Sequence, residues 1–281
     1  MSDAAPPLAQ QQPQVVRIFL ESRYQKLVRD LPQTIFWCPQ CQGRWRKRRD
    51  CEKCGGFGKL SKDSVQELIA RTLQPLFKAR KCFFHGAGRE DVDVRMLGAG
   101  RPFVFELYGV KATGVDVATL HAAVNLANQG RIAVAPFTVV PRSRVPFWKE
   151  GLFRKLYGAR VEVESPIDPL RLAGLVGRTF TVEQRTPQRV VHRRADIART
   201  REVTVTRAER IDERHCHLGL LCAHGTYVKE WVSGDQGRTH PGLPDLLGVP
   251  CSCQELDVLE ILTDSVAQDP GVCATGRGDS P

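Results

Sequence analysis

Four cysteines in two CxxC pairs constrain the fold of this chain more than any other feature. The pairs are Cys38-Pro-Gln-Cys41 and Cys51-Glu-Lys-Cys54, with nine residues between them and glycine close behind each pair. Each pair forms a tight turn that directs two thiolates at one point, and four thiolates complete a tetrahedral site. Because four cysteine ligands leave no open coordination position, we predict a small four-cysteine module with structural Zn²⁺ and no catalytic metal. A redox CxxC or four unrelated thiols would be the alternatives.

The segment between the two pairs is basic and contains an aromatic residue. It reads Arg44-Trp-Arg-Lys-Arg-Arg49. Such a run can contact phosphates and stack on a base, although a merely solvated charged loop has the same composition. We predict nucleic-acid contacts from Arg44, Arg46, Lys47, Arg48 and Arg49.

The charge of the whole chain favours a polyanionic partner. The 281 residues carry a formal net charge of +10 and give a pI near 9.3. Nucleic acid is favoured over a membrane because no amphipathic basic helix stands out and no apolar run approaches the roughly 18–20 residues that span a bilayer. The first residues have neither the basic segment nor the apolar segment that a signal peptide contains. We therefore expect a cytoplasmic protein whose cysteines are reduced or bind metal.

The order of predicted elements indicates an α+β protein with a mixed, mainly antiparallel sheet, because strands alternate with helices without a regular βαβ period. Arg23 to Arg29 is expected to form a short basic helix or turn. Ser61 to Arg80 is the clearest helix, with a capping box at Ser64 and Glu67 and a kink near Pro75. The predicted organisation is a disordered N-terminus (1–14), a basic zinc-binding module (15–60), a linker helix (61–80), a main domain (81–265) and a flexible tail (266–281).

Two acids in residues 88–103 are the candidates for chemistry. If this stretch is a strand, Asp91 and Asp93 project to one side and the neighbouring valines to the other. Arg89, Arg95 and Arg101 surround the acids with positive charge, which would bring a phosphate close to a carboxylate. The alternative is an acidic strand end held in surface ion pairs.

Residues 185–201 hold six arginines against one aspartate. A long arginine-rich connection between strands is suited to gripping an RNA backbone, and a solvated loop is the weaker interpretation. The predicted RNA contacts in and near this segment are Arg189, Arg193, Arg194, Arg199, Arg201 and Arg238.

Several of these stretches resemble, in the same order, the Pus-ten family of archaeal and eukaryotic tRNA pseudouridine synthases that act in the TΨC arm. They are Tyr24 to Thr34, the cysteine pairs, Ser64 to Ile69, residues 85–103, Thr186 to Arg201 and Gly225 to Thr239. The resemblance implies the pseudouridine-synthase fold, a bisected mixed sheet with an RNA-binding cleft, and makes 81–265 the catalytic domain.

The resemblance also implies roles for three residues. Asp91 in Gly-Arg-Glu-Asp matches the catalytic nucleophile, Tyr157 the tyrosine that stacks on the target base, and Lys229 the basic residue paired with the aspartate. The carboxylate would attack C1′ or take part at C6 of the base, and no catalytic cofactor is implied.

The expected partner is RNA, foremost tRNA, with no DNA or membrane partner and a monomeric state. Family members usually carry a THUMP RNA-binding domain, for which this chain has no room, and the basic first 60 residues are expected to substitute for it. The alternatives are a zinc-stabilised, non-catalytic RNA-binding or chaperone-like protein, and a thiol-based RNA-modifying enzyme that uses one CxxC pair.

Overall fold

A mixed β-sheet of eleven strands organises the protein in a computed structural model that describes residues 15–193 and 195–263. The strands are β1 (Arg17–Lys26), β2 (Lys81–Gly86), β3 (Arg95–Tyr108), β4 (Ile132–Val134), β5 (Thr138–Val139), β6 (Arg154–Val163), β7 (Thr179–Gln184), β8 (Arg199–Arg210), β9 (His215–Cys222), β10 (Thr239–His240) and β11 (Cys251–Leu262). The α-helices are α1 (Trp45–Arg48), α2 (Val65–Leu76), α3 (Leu120–Ala127), α4 (Arg144–Glu150), α5 (Pro169–Ala173), α6 (Val228–Ser233) and α7 (Leu243–Leu247). The segments predicted to be disordered or flexible, 1–14 and 266–281, lie outside the described residues.

The strand order is β10-β7-β8-β9-β6-β11-β3-β1-β4, with β2 also paired to β3 and β5 to β1. Strands β3 and β11 run parallel where Arg95 and Met96 face Asp257 and Val258. The other pairings within the described residues are antiparallel. The parallel contact therefore joins two antiparallel parts, and the predicted α+β class with a mixed, mainly antiparallel sheet is confirmed.

Strand β1 lies inside the main sheet, between β3 and β4. Its inward positions alternate regularly and end with Tyr24 and Lys26, both buried. The prediction of a helix or turn from Arg23 to Arg29 is wrong at its beginning, because pairing of β1 with β3 continues to Lys26 opposite Met96. A long antiparallel ladder satisfies the backbone and overrides the weak local preference. Residues 17–26 therefore belong to the main sheet rather than to a separate 15–60 module.

Helix α2 is shorter than the predicted 61–80 but begins where its capping box requires. The Ser64 hydroxyl accepts a hydrogen bond from the Glu67 N–H at 3.2 Å and lies 2.8 Å from the Glu67 carboxylate. Pro75 lies in the last turn and the helix ends at Leu76. The apolar stripe of α2, which includes Val65 and Ile69, is buried in the same core as the sheet, so the helix packs on the main domain.

The four cysteines form a small cluster separate from the main core. Three of them are buried, Cys38, Cys41 and Cys51, and Cys54 packs against these. A single antiparallel bridge between Trp37 and Lys59 closes the segment that holds them. We refer to residues 37–59 as the four-cysteine module. Across the described part of the chain, no helix has both the length and the apolar character needed to cross a bilayer.

Candidate active site and metal centre

Asp91 lies on a turn at the junction of the two parts of the sheet, and the predicted strand does not form there. Strand β3 begins only at Arg95, and the Val94 N–H donates to the Asp91 carbonyl at 3.1 Å. The two acids consequently do not alternate as in a strand. Their side chains are 41% exposed at Asp91 and 56% exposed at Asp93, so both carboxylates can meet a substrate.

A buried lysine beneath the turn is the reason for its shape. The Lys26 ammonium donates to the Asp91 carbonyl at 3.0 Å, to the Val92 carbonyl at 2.9 Å and to the Leu31 carbonyl at 2.8 Å. Burial lowers the pKa of Lys26 to about 8, and the negative charge of Glu90 opposes this shift. Three carbonyls converging on one ammonium leave little freedom to the backbone that carries Asp91.

Glu90 is the buried counter-charge of this network. Its carboxylate accepts from the Tyr24 hydroxyl at 2.8 Å and from Arg101 Nε at 2.8 Å, and it lies 4.0 Å from the Lys26 ammonium. Arg101 also donates to the Ala87 carbonyl at 2.7 Å. The Arg101 side chain is 1% exposed, so the predicted contact of Arg101 with RNA is wrong: its guanidinium stabilises the turn from inside.

Two cations contact the Asp91 carboxylate. Arg189 approaches it at 3.1 Å and also pairs with the buried Glu230 at 2.5 Å. Burial lowers the pKa of Arg189, but the hydrogen bonds and charges of Glu230 and Asp91 outweigh it and raise the pKa overall. Lys229 lies 3.8 Å from the Asp91 carboxylate. The arginine-rich segment and helix α6 therefore both converge on the turn.

Lys229 is closer to Asp93 than to Asp91. Its ammonium donates to both Asp93 carboxylate oxygens, at 2.8 and 2.7 Å. Partial burial opposes ionisation of Asp93, but the hydrogen bonds and charge of Lys229 outweigh it, so the pKa of Asp93 is lowered. The sequence-based pairing of Lys229 with Asp91 is thus one of two contacts, and Asp93 takes the shorter one.

Tyr157 and Lys155 are both on β6, two residues apart, and therefore on the same face of the strand. Burial raises the pKa of Tyr157 well above its usual value, and the neighbouring Cys222 adds to this while the charge of Arg101 opposes it, so the hydroxyl stays protonated. Burial lowers the pKa of Lys155 to about 8, and the neighbouring Arg101 charge adds to this. Burial is therefore the main cause of both shifts.

The remaining predicted RNA contacts of the main domain differ in their exposure and their partners. Arg89 is exposed, Arg95 pairs bidentately with Asp257 at 2.9 and 2.6 Å, and Arg238 pairs with Asp196. Arg199 and Arg201 donate to backbone carbonyls. Of the last two predicted contacts, Arg194 and the side chain of Arg193 lie outside the described part of the chain.

Sequence reasoning missed Lys26, Glu90, Lys155 and Glu230. The alternating pattern of β1 could have placed Lys26 on the inward face beside Tyr24, and a lysine there requires partners. Nothing local in the sequence indicates that those partners are the carbonyls of residues 91 and 92.

The four cysteines of the module are arranged to hold a metal ion. Their sulfur atoms all lie within 4.8 Å of one another, and the Cys38–Cys51 and Cys41–Cys54 pairs are both separated by 3.7 Å. Tetrahedral Zn–S bonds of about 2.3 Å place sulfurs roughly 3.8 Å apart. The Gly58 N–H donates to the Cys54 sulfur at 3.1 Å, as expected beside a thiolate ligand. The residues therefore fit a metal of this geometry.

Fold and site together define a class: basic α+β proteins in which a turn with two carboxylates meets an arginine-rich segment at the centre of a mixed sheet, with a four-cysteine module attached. The chain belongs to the family described as "Pus10, C-terminal", whose model matches residues 19–262. The resemblance noted from the motifs is confirmed.

Curated relatives named "tRNA pseudouridine synthase Pus10" match most of this chain. The protein of Korarchaeum cryptofilum is 41% identical over 88% of the chain and 66% of its own length. That of Methanocaldococcus jannaschii is 40% identical over 88% of the chain and 54% of its own length, and that of Halorubrum lacusprofundi is 42% identical over 86% and 58%. The chain thus spans between about half and two thirds of the length of these relatives.

Solved structures give weaker likenesses. A Cbf5-Nop10-Gar1 complex is similar with a TM-score of 0.37 and 17% identity, over 70% of this chain and 45% of the solved chain. A structure described as pseudouridylate synthase gives a TM-score of 0.29 and 11% identity, over 88% and 63%. At these scores they add nothing to the family assignment.

Proposed function

We propose that this protein isomerises uridine to pseudouridine in RNA, that tRNA is its substrate and the TΨC arm the region modified, and that Asp91 is the nucleophile. The names of the relatives support the reaction and the tRNA substrate. The observation that carries the assignment to Asp91 is its carboxylate on a turn fixed by Lys26, with Arg189 and Lys229 both in ion-pair contact.

The reaction exchanges one glycosidic bond for another. The N1–C1′ bond breaks, the base turns, a C5–C1′ bond forms, and the C5 proton is lost while N1 gains one. Oxidation states balance without an external reductant or oxidant, so the chemistry needs only a carboxylate that acts at C1′ or C6 and groups that transfer protons.

Arg189 and Lys229 stabilise the negative charge that Asp91 needs as a nucleophile. Because Arg189 also pairs with the buried Glu230, it can stay in place when a sugar displaces its contact with Asp91. Tyr157 keeps a protonated hydroxyl and offers a flat ring, which suits stacking on a uridine swung out of its helix. Asp93 holds the Lys229 ammonium and positions it beside Asp91.

The four-cysteine module would hold Zn²⁺ through Cys38, Cys41, Cys51 and Cys54, and the metal would supply a structural crosslink there. Around it, the exposed cations Arg44, Arg46, Lys47 and Arg49, with the half-buried Arg48, are suited to RNA phosphates. A monomer in the cytoplasm, with its thiols reduced or metal-bound, completes the proposal.

The test is release of tritium from C5 of uridine in tRNA transcripts. Wild type should release tritium and Asp91→Asn should release none. Asp93→Asn is the matched control on the same turn. It should release tritium at a reduced rate, because it keeps the Asp91 carboxylate and loses only the ion pair that positions Lys229. Equal release by wild type and Asp91→Asn would refute the nucleophile. RNA binding without release from any tRNA would favour the non-catalytic RNA-binding alternative.

A further inference from the structure

Three large aromatic side chains of the four-cysteine module are exposed to solvent. The exposed fractions are 50% for Trp37, 65% for Trp45 and 50% for Phe57, whereas Trp148 and Trp231 of the main domain are 6% and 0% exposed. Leaving this much aromatic surface in water forgoes the stabilisation that burial would give. Clustering of three such rings in one small module indicates a surface that is covered by a partner.

A glycine lies beneath the ring of Trp37. A Cβ at Gly43 would collide with the six-membered ring of Trp37, and Gly43 has a φ of +69°. A Cβ at Gly58 would lie 3.1 Å from the Gly43 Cα and 3.3 Å from the Arg48 Cδ. The Trp37 ring therefore rests on bare backbone, which covers one of its faces and leaves the other available.

Cations accompany each of the rings. The Arg48 guanidinium lies 4.5 Å from the centroid of the Trp45 ring, and the Lys59 ammonium lies 5.1 Å from that of Phe57. Trp37 and Lys59 face each other across the antiparallel bridge, so their side chains are neighbours. Exposed rings beside positive charges are the combination that binds single-stranded nucleic acid, with bases on the rings and phosphates on the cations.

The chain that enters the module also supports the Asp91 turn. The Gln33 amide donates to the Gly88 carbonyl at 3.0 Å and to the Tyr24 hydroxyl at 2.8 Å. Trp37 follows Gln33 closely in the chain, at a span of at most about 14 Å. One RNA molecule can therefore contact the rings and place a nucleotide at Asp91.

We propose that Trp37, Trp45 and Phe57 form a stacking platform for unpaired RNA bases next to the reacting nucleotide. This inference rests on the proposed function only in naming the substrate RNA as the ligand. A duplex keeps its bases stacked on one another, so the platform selects unpaired loop or end nucleotides.

The first experiment uses the intrinsic fluorescence of the 281-residue chain loaded with zinc. Trp37 and Trp45 are exposed and the other two tryptophans are buried, so stacking of a short, unstructured oligouridylate should quench the emission and protect it from acrylamide. Blunt-ended duplex RNA should do neither. Quenching by the duplex equal to that by the single strand would overturn the proposal, and this measurement needs no variant.

The second experiment uses Trp37→Ala, Trp45→Ala and Phe57→Ala, with Phe83→Ala as the matched control because Phe83 is an exposed ring on the main domain. Each module variant should lose roughly 5- to 150-fold in oligouridylate affinity, the control none, and Trp45→Phe should restore most of it. With tRNA, KM should rise while kcat stays unchanged. Zinc content of one per chain verifies that each module remains folded.

Affinities equal to wild type in all three module variants would overturn the proposal, even with tritium release intact. If wild type releases no tritium but the affinity losses occur, the platform stands and the proposed reaction fails. The two conclusions are therefore separable.

Discussion

Replacing Glu90 by glutamine tests whether the buried network beneath Asp91 holds the fold as the structure indicates. Glutamine has nearly the same shape and keeps an oxygen that can accept from Tyr24 and Arg101. The charge is lost, however, and Arg101 and Lys26 are left as two buried cations without their carboxylate, at 1% and 0% side-chain exposure.

Removing one partner of a buried ion pair typically costs about 3–5 kcal/mol, because the other charge remains desolvated and uncompensated. The Glu90 carboxylate lies 2.8 Å from Arg101 Nε and is itself 0% exposed, so this range applies to Glu90→Gln without a reduction for solvent screening. For a domain of this size, each kcal/mol lowers Tm by roughly 2–4 °C, which predicts a decrease of about 6–20 °C.

The assay is urea unfolding followed by tryptophan fluorescence. Trp148 and Trp231 supply the change in emission because both are buried in the main core, whereas Trp37 and Trp45 are already exposed in the folded protein. Glu255→Gln is the control, since Glu255 forms an ion pair with Arg29 at 2.9 Å but is 49% exposed. The control should lose at most about 1 kcal/mol. A loss of less than about 1 kcal/mol in Glu90→Gln, or equal losses in both variants, would refute the structural reasoning.

Three further predictions concern Lys155, Tyr157 and the metal. The pKa of Lys155 is lowered from 10.5 to about 8, so at this group the unfolded chain binds more protons between these values, and its contribution to stability rises with pH by up to about 3 kcal/mol. Buried cysteines such as Cys222, whose pKa is raised, act in the opposite direction, so the quantity to measure is the difference in unfolding free energy between wild type and Lys155→Met. That difference should shift in favour of wild type as pH rises across this range, and a difference independent of pH would count against the prediction. Tyr157→Phe should keep most tritium release and Tyr157→Ala should lose it, because the aromatic ring is required and ionisation of the hydroxyl is not. Complete loss of release in Tyr157→Phe would contradict this. Chelation should release one zinc per chain and expose four thiols to a thiol reagent. The part of the tryptophan emission that is protected from acrylamide should remain, because Trp231 is buried in the main core and the cysteines form a separate cluster. Loss of that protected part on chelation would show that the module and the sheet fold as one unit.

Local sequence motifs predicted those parts of the structure that depend on residues close together in the chain. The CxxC spacing brought the four cysteines to one point. The predicted capping box formed, with Ser64 as the N-cap of α2, although the helix was predicted from Ser61. The alternation of elements gave the α+β class and a mainly antiparallel sheet. In the first two cases the interacting groups are near in sequence, and in the third each element is recognised from the period of its own apolar residues.

Contacts between distant segments decided the candidate site. Asp91 and Asp93 lie on a turn rather than a strand because Lys26, from a distant part of the chain, binds the carbonyls of that turn. The Lys229 ammonium lies closer to the Asp93 carboxylate than to that of Asp91, and the position of α6 determines both distances.

The sequence by itself determined the chemical types available: a thiolate cluster, a pair of acids and an excess of cations. Only the tertiary structure decided which cation is buried beneath the turn, which contacts a carboxylate and which remains exposed for RNA. Arg101 and Arg89 look alike in the sequence, yet one is enclosed against Glu90 and the other is exposed. The physical reason is that burial and ion pairing depend on the register of strands far apart in the chain, which no local pattern encodes.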